Sequence, residues 1–153
     1  MRANPVLQAW REGKGTVGAW LSIPSAFNAE LMSHLGFDWL CVDMQHGVID
    51  YNDAVAMFTA IATTGATPFV RVNWNDPGTI MKVLDAGAMG VVIPLVNNRQ
   101  DAERAVAACL YPPKGMRSAG PVRARLYSGD DYVAQDRKST RLNSSHVALS
   151  RMP

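Results

Sequence analysis

The sequence has few cysteines, few charged residues and no long apolar run. Its two cysteines, Cys41 and Cys109, both lie in apolar segments of the 153-residue chain. This predicts buried thiols in a reducing compartment rather than a disulfide framework or a metal site. Because no run of about 18 apolar residues occurs, we expect no membrane-spanning helix. Residues 1–15 also lack the apolar stretch of a signal peptide, so we expect a cytoplasmic protein.

Charge is low and unevenly spread. Charged residues make up 18% of the chain and apolar residues 48%, which is typical of one globular domain. Four of the 15 basic side chains and one of the 13 acidic ones lie in residues 136–153. Residues 1–135 therefore carry 11 basic and 12 acidic side chains. This balance predicts no nucleic-acid partner for the body of the protein.

Residues 136–153 look foreign to the rest of the chain. They contain no aromatic residue and no sustained apolar period. The segment 136–146, DRKSTRLNSSH, can be back-translated without a mismatch into a common short-read sequencing adapter, and 150–153 fits the continuation of that adapter. We therefore expect a non-native tail that contacts the rest little, with an ordinary disordered basic tail as the alternative. The native sequence would then be cut off near residue 135, inside its domain.

Short β-rich runs alternate with helical segments over residues 1–135. The predicted strands are Val17–Ile23, Trp39–Met44, Pro68–Asn73 and Gly90–Val96. The predicted helices begin at the caps Asn4, Ser25, Asp50, Asp76 and Asn98. In the second helix, Phe27, Leu31 and Leu35 recur every four residues. Such βα repeats predict a parallel sheet, because each parallel crossover needs a helix.

Two parallel architectures compete for this pattern. An open doubly wound sheet usually has a glycine-rich turn after its first strand, but residues 21–25 (LSIPS) contain no glycine. A (β/α)₈ barrel needs no such turn and gathers its chemistry at the carboxyl ends of its strands. Polar residues collect at those ends here: Asp43, Gln45, His46, Arg71, Asn73 and Asn75. We therefore predict a partial (β/α)₈ barrel, about its first four βα units, in the strand order 1-2-3-4.

Two side chains at these strand ends can carry chemistry. His46 follows a buried strand, where a neutral imidazole can serve as a base, although a lone histidine is often structural. Arg71 interrupts an apolar strand, and a guanidinium there needs an anionic partner. That partner is either the carboxylate or enolate of a substrate, or an inner acid such as Asp43.

The chain resembles the HpcH/HpaI aldolases, also called class II pyruvate aldolases. The motifs that carry the resemblance are GAWL (18–21), GFDW (36–39), DMQH (43–46), VRVNWNDP (70–77), LDAGA (84–88), VIPLV (92–96) and YPPKGMR (111–117). They occur in the same order over nearly all of residues 1–135. One departure concerns the residue before the histidine, which is often Glu in the family and is Gln45 here.

The resemblance implies a metal-dependent cleavage of 4-hydroxy-2-oxo acids to pyruvate and an aldehyde. By similarity His46 is the acid/base residue, Arg71 stabilises the enolate, and Asp85 is an acid that raises the basicity of the histidine. Asp43, Gln45 and Trp20 would lie at or next to the substrate. A divalent ion, Mg²⁺ or Mn²⁺, would be held by carboxylates of later strands. Asp130 and Asp131 are adjacent in sequence, so we name no metal ligand in this chain.

The assignment of Asp85 and the function itself have alternatives. Asp85 falls in a final helical turn, at the end of a barrel opposite the active site, so a neighbouring subunit would have to bring it there. The family implies such oligomers, hexamers in particular; a carboxylate without a catalytic role is the alternative. The chain is alternatively part of a 2-oxo-acid barrel lyase of the malyl-thioester type, or a non-catalytic half-barrel binding domain. As an isolated fragment it is expected to be inactive.

Overall fold

One parallel sheet with flanking helices organises the chain. The computed structural model describes residues 4–130, 132–134 and 146–149. The strands are β1 (Gly18–Leu21), β2 (Trp39–Asp43), β3 (Thr67–Arg71), β4 (Gly90–Ile93) and β5 (His146–Leu149). The helices are α1 (Pro5–Arg11), α2 (Ala26–Ser33), α3 (Tyr51–Ile61), α4 (Pro77–Asp85), α5 (Arg99–Cys109) and α6 (Val122–Ser128). The sheet order β1-β2-β3-β4-β5 confirms the predicted order of the first four strands. Strands and helices alternate as in the first half of a (β/α)₈ barrel.

The predicted helix starts are confirmed by their capping hydrogen bonds. Asp50 Oδ1 accepts from the backbone N–H groups of Asn52 at 2.8 Å and Asp53 at 3.0 Å. The Asp53 side chain in turn accepts from Asp50 N, which completes a capping box. Asn4, Ser25, Asp76 and Asn98 cap their helices in the same way through one side-chain oxygen. Helix α6 was not predicted, and it starts without a side-chain cap.

The two faces of the sheet are buried by different elements. Leu40, Val42 and Val70 belong to the main core, together with the helices. The alternate residues Cys41 and Phe69 belong to a second core, which α1 completes with Val6 and Trp10. In a barrel this second face is the interior, because side chains alternate along each strand. The same alternation places Asp43 and Arg71 on the interior face, next to the carboxyl ends of their strands.

An aromatic stack fills the interior face beneath those polar residues. The rings of Trp39 and Phe69 stack at 5.5 Å between centroids, and Trp10 meets Phe69 edge-on at 6.1 Å. Gly18, paired with Trp39 across β1 and β2, has no side chain, and a Cβ there would lie 2.0 Å from the Trp39 ring. The glycine therefore leaves room for an indole between the strands.

The predicted apolar stripe, which recurs every four residues, is not the buried face of α2, and its last member Leu35 lies beyond the helix. Phe27, Leu31 and Leu35 are 69%, 51% and 68% exposed, while Ala29 on the same helix is fully buried. The stripe identified the helix correctly, but its side chains are exposed rather than packed on the core. Ala29 and the partly buried Met32 instead make the contact of α2 with the core.

The fifth strand corrects the prediction for the tail. Residues 146–149 pair in parallel with Gly90–Ile93 along four register positions, so the expectation of few contacts is wrong for them. The physical reason is the open edge of β4, whose unpaired N–H and C=O groups accept another extended segment. The remaining tail residues, 136–145 and 150–153, lie outside the described residues, and the boundary at residue 135 stays a prediction. No helix in the described part of the chain is long and apolar enough to cross a membrane.

Candidate functional site

A two-pronged ion pair joins the ends of β2 and β3. Arg71 Nε donates to Asp43 Oδ1 at 2.8 Å, and Arg71 Nη2 donates to Asp43 Oδ2. The two residues are register partners across the parallel strands, so the backbone itself brings them together. The structure thus supplies the inner acid that sequence analysis named as one partner for Arg71. Asp43 is 4% exposed, and the Arg71 side chain is 22% exposed.

The pair keeps both side chains charged. Burial of Asp43 opposes ionisation, but hydrogen bonds from Arg71 and from the backbone of His46 and Gln45 outweigh it and lower the pKa of Asp43. The hydrogen bond to Asp43 in turn raises the pKa of Arg71, despite partial burial. Arg71 Nη1 has no hydrogen-bond partner among the described residues, so this end of the guanidinium remains available to a ligand.

Trp20 packs against the flat face of the same guanidinium. Arg71 Cζ lies 4.7 Å from the centroid of the Trp20 ring, a cation–π contact, and Trp20 is 46% exposed at the end of β1. Trp20 on β1 therefore contacts the face of the Arg71 guanidinium, and Asp43 on β2 binds its Nε/Nη2 edge. Three adjacent strands therefore bring Trp20, Asp43 and Arg71 into contact.

The loop after β2 is tied to Asp43. Asp43 Oδ1 also accepts from Gln45 N at 3.0 Å and from His46 N at 3.3 Å. Gly47 allows the tight turn that follows, because a Cβ there would lie 2.3 Å from the Asp43 carbonyl oxygen. His46 is exposed, and Gln45 is partly buried. Asp43 therefore anchors the backbone of His46 beside Arg71, and the imidazole is open to solvent.

Two further residues near this edge, Asn75 and Cys41, are buried, and for Cys41 this confirms the predicted buried thiol. Asn75 is 8% exposed, and its Nδ2 donates to the carbonyl of Asp101 at 3.0 Å, so it joins the loop after β3 to the start of α5. The thiol of Cys41, which precedes Asp43 on the interior face, is fully buried. Burial, with Asp43 nearby, raises the pKa of this thiol and favours its neutral form.

Asp85 is not brought to this site by its own chain. It is the last residue of α4, and α4 runs back from the carboxyl end of β3 towards the opposite edge of the sheet. Its carboxylate accepts from Arg117 Nη2 at 2.8 Å. The predicted position in a final helical turn is confirmed, and the role of Asp85 stays a prediction.

Sequence reasoning missed two features. Arg117, with a side chain 0% exposed, makes a buried ion pair across 32 residues of sequence, and only its place in the YPPKGMR motif singled it out. Leu95, just after β4, has φ +58°, which is rare for a residue other than glycine. Nothing in the sequence signals this backbone conformation.

The comparisons with known proteins agree with this architecture. The family model for HpcH/HpaI aldolase/citrate lyase matches residues 16–146.

The chain belongs to this family.

The chain is similar to two curated aldolases and to one solved structure of the family. The chain is 44% identical over 132 residues to the hydroxypyruvate/pyruvate aldolase of Rhizorhabdus wittichii, covering 86% of this chain and 53% of the relative. It is 39% identical over 122 residues to the 4-hydroxy-2-oxo-heptane-1,7-dioate aldolase of Salmonella dublin, covering 80% and 46%. The HpcH/HpaI aldolase/citrate lyase family protein of Burkholderia cenocepacia superposes with a TM-score of 0.84 at 30% identity, covering 95% of this chain and 58% of that one. The chain spans about half the length of the curated relatives it matches.

The family generally depends on a divalent metal ion, and the described residues do not fit such a site by themselves. They contain no group of three or more His, Cys, Asp or Glu side chains that could hold an ion. Both oxygens of Asp43 already accept hydrogen bonds from Arg71. The described residues at this edge of the sheet offer instead a guanidinium, an imidazole and an indole.

Proposed function

We propose that this chain is the first half of an enzyme that cleaves 4-hydroxy-2-oxo acids to pyruvate and an aldehyde. Family membership and the aldolase names of the relatives support the reaction class. The single observation that carries the proposal is Arg71, held by Asp43 and Trp20 at the carboxyl ends of three adjacent strands. In a barrel this is the edge where catalytic side chains gather.

Arg71 binds the oxyanion of the substrate in this proposal. Its Nε and one Nη2 proton are occupied by Asp43, which leaves Nη1 to donate to a carboxylate or to an enolate oxygen. An anion at Nη1 meets a donor whose direction is already fixed, so little reorganisation is needed as charge develops. Asp43 acts on the substrate only through Arg71 and through the loop that it anchors.

His46 transfers the proton. Retro-aldol cleavage requires a base that removes the proton of the 4-hydroxyl group and an acid that protonates the resulting enolate. An imidazole suits both steps near neutral pH. The hydrogen bond from His46 N to Asp43 Oδ1 places the residue beside Arg71, and its exposure leaves it accessible to substrate. Gln45, at a position that is often Glu in the family, lines the same loop and would influence the choice of substrate.

The metal ligands would come from outside the described residues. Because both oxygens of Asp43 accept hydrogen bonds from Arg71 and the described residues hold no cluster of metal-binding side chains, we assign Mg²⁺ or Mn²⁺ no ligand in this chain. Asp85 would act on His46 of a second copy, since α4 carries it away from the site of its own chain. The proposal therefore includes a longer protein that forms a homo-oligomer.

The full-length protein from the same source tests this proposal. Purified with Mg²⁺ or Mn²⁺, it should release pyruvate from a 4-hydroxy-2-oxo acid at a rate that depends on Arg71 and His46. Arg99→Lys is a matched control, because Arg99 is an exposed arginine paired with Glu103 on α5. Absence of metal-dependent pyruvate release over a panel of such acids would overturn the proposal. Cleavage of an added malyl thioester to a shorter acyl thioester and a 2-oxo acid, without cleavage of the 4-hydroxy-2-oxo acids, would favour the malyl-thioester type of lyase.

A further inference from the structure

Arg117 is an unusually buried cation. Its side chain is 0% exposed and lies between two tyrosine rings, with Cζ 4.6 Å from the centroid of Tyr111 and 5.8 Å from that of Tyr132. Its Nη1 donates to Tyr132 Oη at 3.3 Å, and its buried Nε has no hydrogen-bond partner. A guanidinium in such a place is costly unless a carboxylate compensates it. Arg117 therefore requires an anionic partner inside the protein.

That partner is Asp85. Arg117 Nη2 donates to Asp85 Oδ1 at 2.8 Å. Oδ2 accepts no hydrogen bond from the described residues, and the Asp85 side chain is 24% exposed. A carboxylate in the last turn of a helix is disfavoured by the helix dipole, so Arg117 offsets a local electrostatic cost. Arg117 therefore fixes the carboxylate through Oδ1 and leaves Oδ2 unpaired among the described residues, on a side chain that is partly exposed.

The main chain that carries Arg117 is itself fixed. Arg117 N donates to the carbonyl of Leu110 at 2.9 Å, and Met116 N donates to the carbonyl of Ala107 at 2.8 Å. Both acceptors belong to the end of α5, so the segment from Tyr111 to Arg117 is bound to a helix rather than free to move. Gly120 lies next to Asp85, because an added Cβ there would stand 3.6 Å from Oδ2.

We propose that Arg117 is the positioning residue of Asp85, which it holds by Oδ1 so that Oδ2 is presented outward to a second copy of the chain. This inference rests on the proposed role of Asp85 under the proposed function. Arg117 touches neither substrate nor His46, and it acts only through the direction of one carboxylate. Displacing a catalytic group by about 1 Å can lower the rate about 10²-fold. The direction of the Asp85 carboxylate should therefore affect the rate.

A double-variant cycle in the full-length oligomeric enzyme tests the inference. Arg117→Lys keeps a positive charge but loses the planar fork, and Asp85→Asn removes the carboxylate charge. We expect each single variant to lower kcat about 10–100-fold with KM nearly unchanged, and the double variant to be no slower than Asp85→Asn. Arg123→Lys is the matched control, because Arg123 donates to the carbonyl of Ala86 at the same helix end without touching a carboxylate.

Each outcome decides the inference. If Arg117→Lys lowers kcat by the same factor with Asp or with Asn at position 85, Arg117 acts as a structural residue and the inference is wrong. A kcat equal to that of Arg123→Lys also overturns it, and the proposed function stands in both cases. Should Arg117→Lys fail to fold, Tyr132→Phe removes only the hydroxyl that accepts from Nη1, and the same cycle with Asp85→Asn applies. A wild-type full-length protein without cleavage activity overturns the proposed function and the inference with it.

Discussion

Asp43 and Arg71 are register partners on β2 and β3 and face each other through two hydrogen bonds, Nε to Oδ1 at 2.8 Å and Nη2 to Oδ2. The pair satisfies a buried acid and an inward-pointing base at once, yet it leaves Nη1 of Arg71 unused among the described residues. Arg71 can therefore pair with Asp43 and bind a substrate anion at the same time, so the two partners considered for it in the sequence do not exclude each other.

Substitution of Arg71 should impair both binding and turnover in the full-length enzyme. Arg71→Ala removes a donor to the developing enolate, so we expect kcat to fall about 10²–10³-fold and KM to rise. Arg71→Lys should recover only part of the loss, because a point charge cannot pair with Asp43 and hold a second anion through a fork. Steady-state aldol cleavage at fixed metal concentration measures both constants. Full activity of Arg71→Lys would contradict the role given to the fork.

Trp20 should matter for binding more than for the chemical step. Its indole stacks on Arg71 at 4.7 Å while being 46% exposed, and an exposed cation–π contact is worth about 0.5–1 kcal/mol. Trp20→Leu should therefore raise KM about two- to fivefold with little change in kcat. Trp74→Leu is the matched control, because Trp74 is a 59% exposed tryptophan in the loop after β3. Equal KM values for the two variants would exclude a role of the stack.

The thermal stability should depend on pH through Asp43. Its pKa is lowered in the folded protein, so the ion pair contributes fully above the pKa of an unfolded aspartate, about 3.9. The contribution is lost as the pH falls through the lower, folded value. We expect the difference in Tm between wild type and Asp43→Asn to be largest at neutral pH and to shrink below about pH 4. A constant difference across this range would show that Asp43 is not the titrating group.

The 153-residue chain alone should be inactive as an aldolase. Its described residues hold no metal-binding cluster, β1 is an edge strand of the sheet, and the apolar side chains Phe27, Leu31 and Leu35 are exposed. Purified chain assayed with Mg²⁺ or Mn²⁺ should release no pyruvate above background. Turnover in the usual enzyme range, about 1–10³ s⁻¹, would contradict this expectation.

Local signals in the sequence predicted much of the fold. Caps such as Asp50 and Asp76 act within three residues, and strand alternation fixes which side chains share a face, so helix starts and the Asp43–Arg71 edge could be predicted. Contacts between distant segments could not. The burial of Arg117 against Asp85 depends on packing across 32 residues of sequence. Which face of α2 is exposed likewise depends on the elements packed around the helix. Apolar periodicity alone cannot predict this face.

The proton transfer assigned to His46 can be measured without knowing the aldehyde. Pyruvate in D₂O exchanges its methyl protons whenever the enzyme forms the enolate, and ¹H NMR follows the loss of the methyl signal. With the full-length protein and its metal, the account predicts that His46→Ala slows this exchange about 10²–10⁴-fold while pyruvate still binds. Exchange at the wild-type rate in His46→Ala would contradict the account, because another group would then be the base.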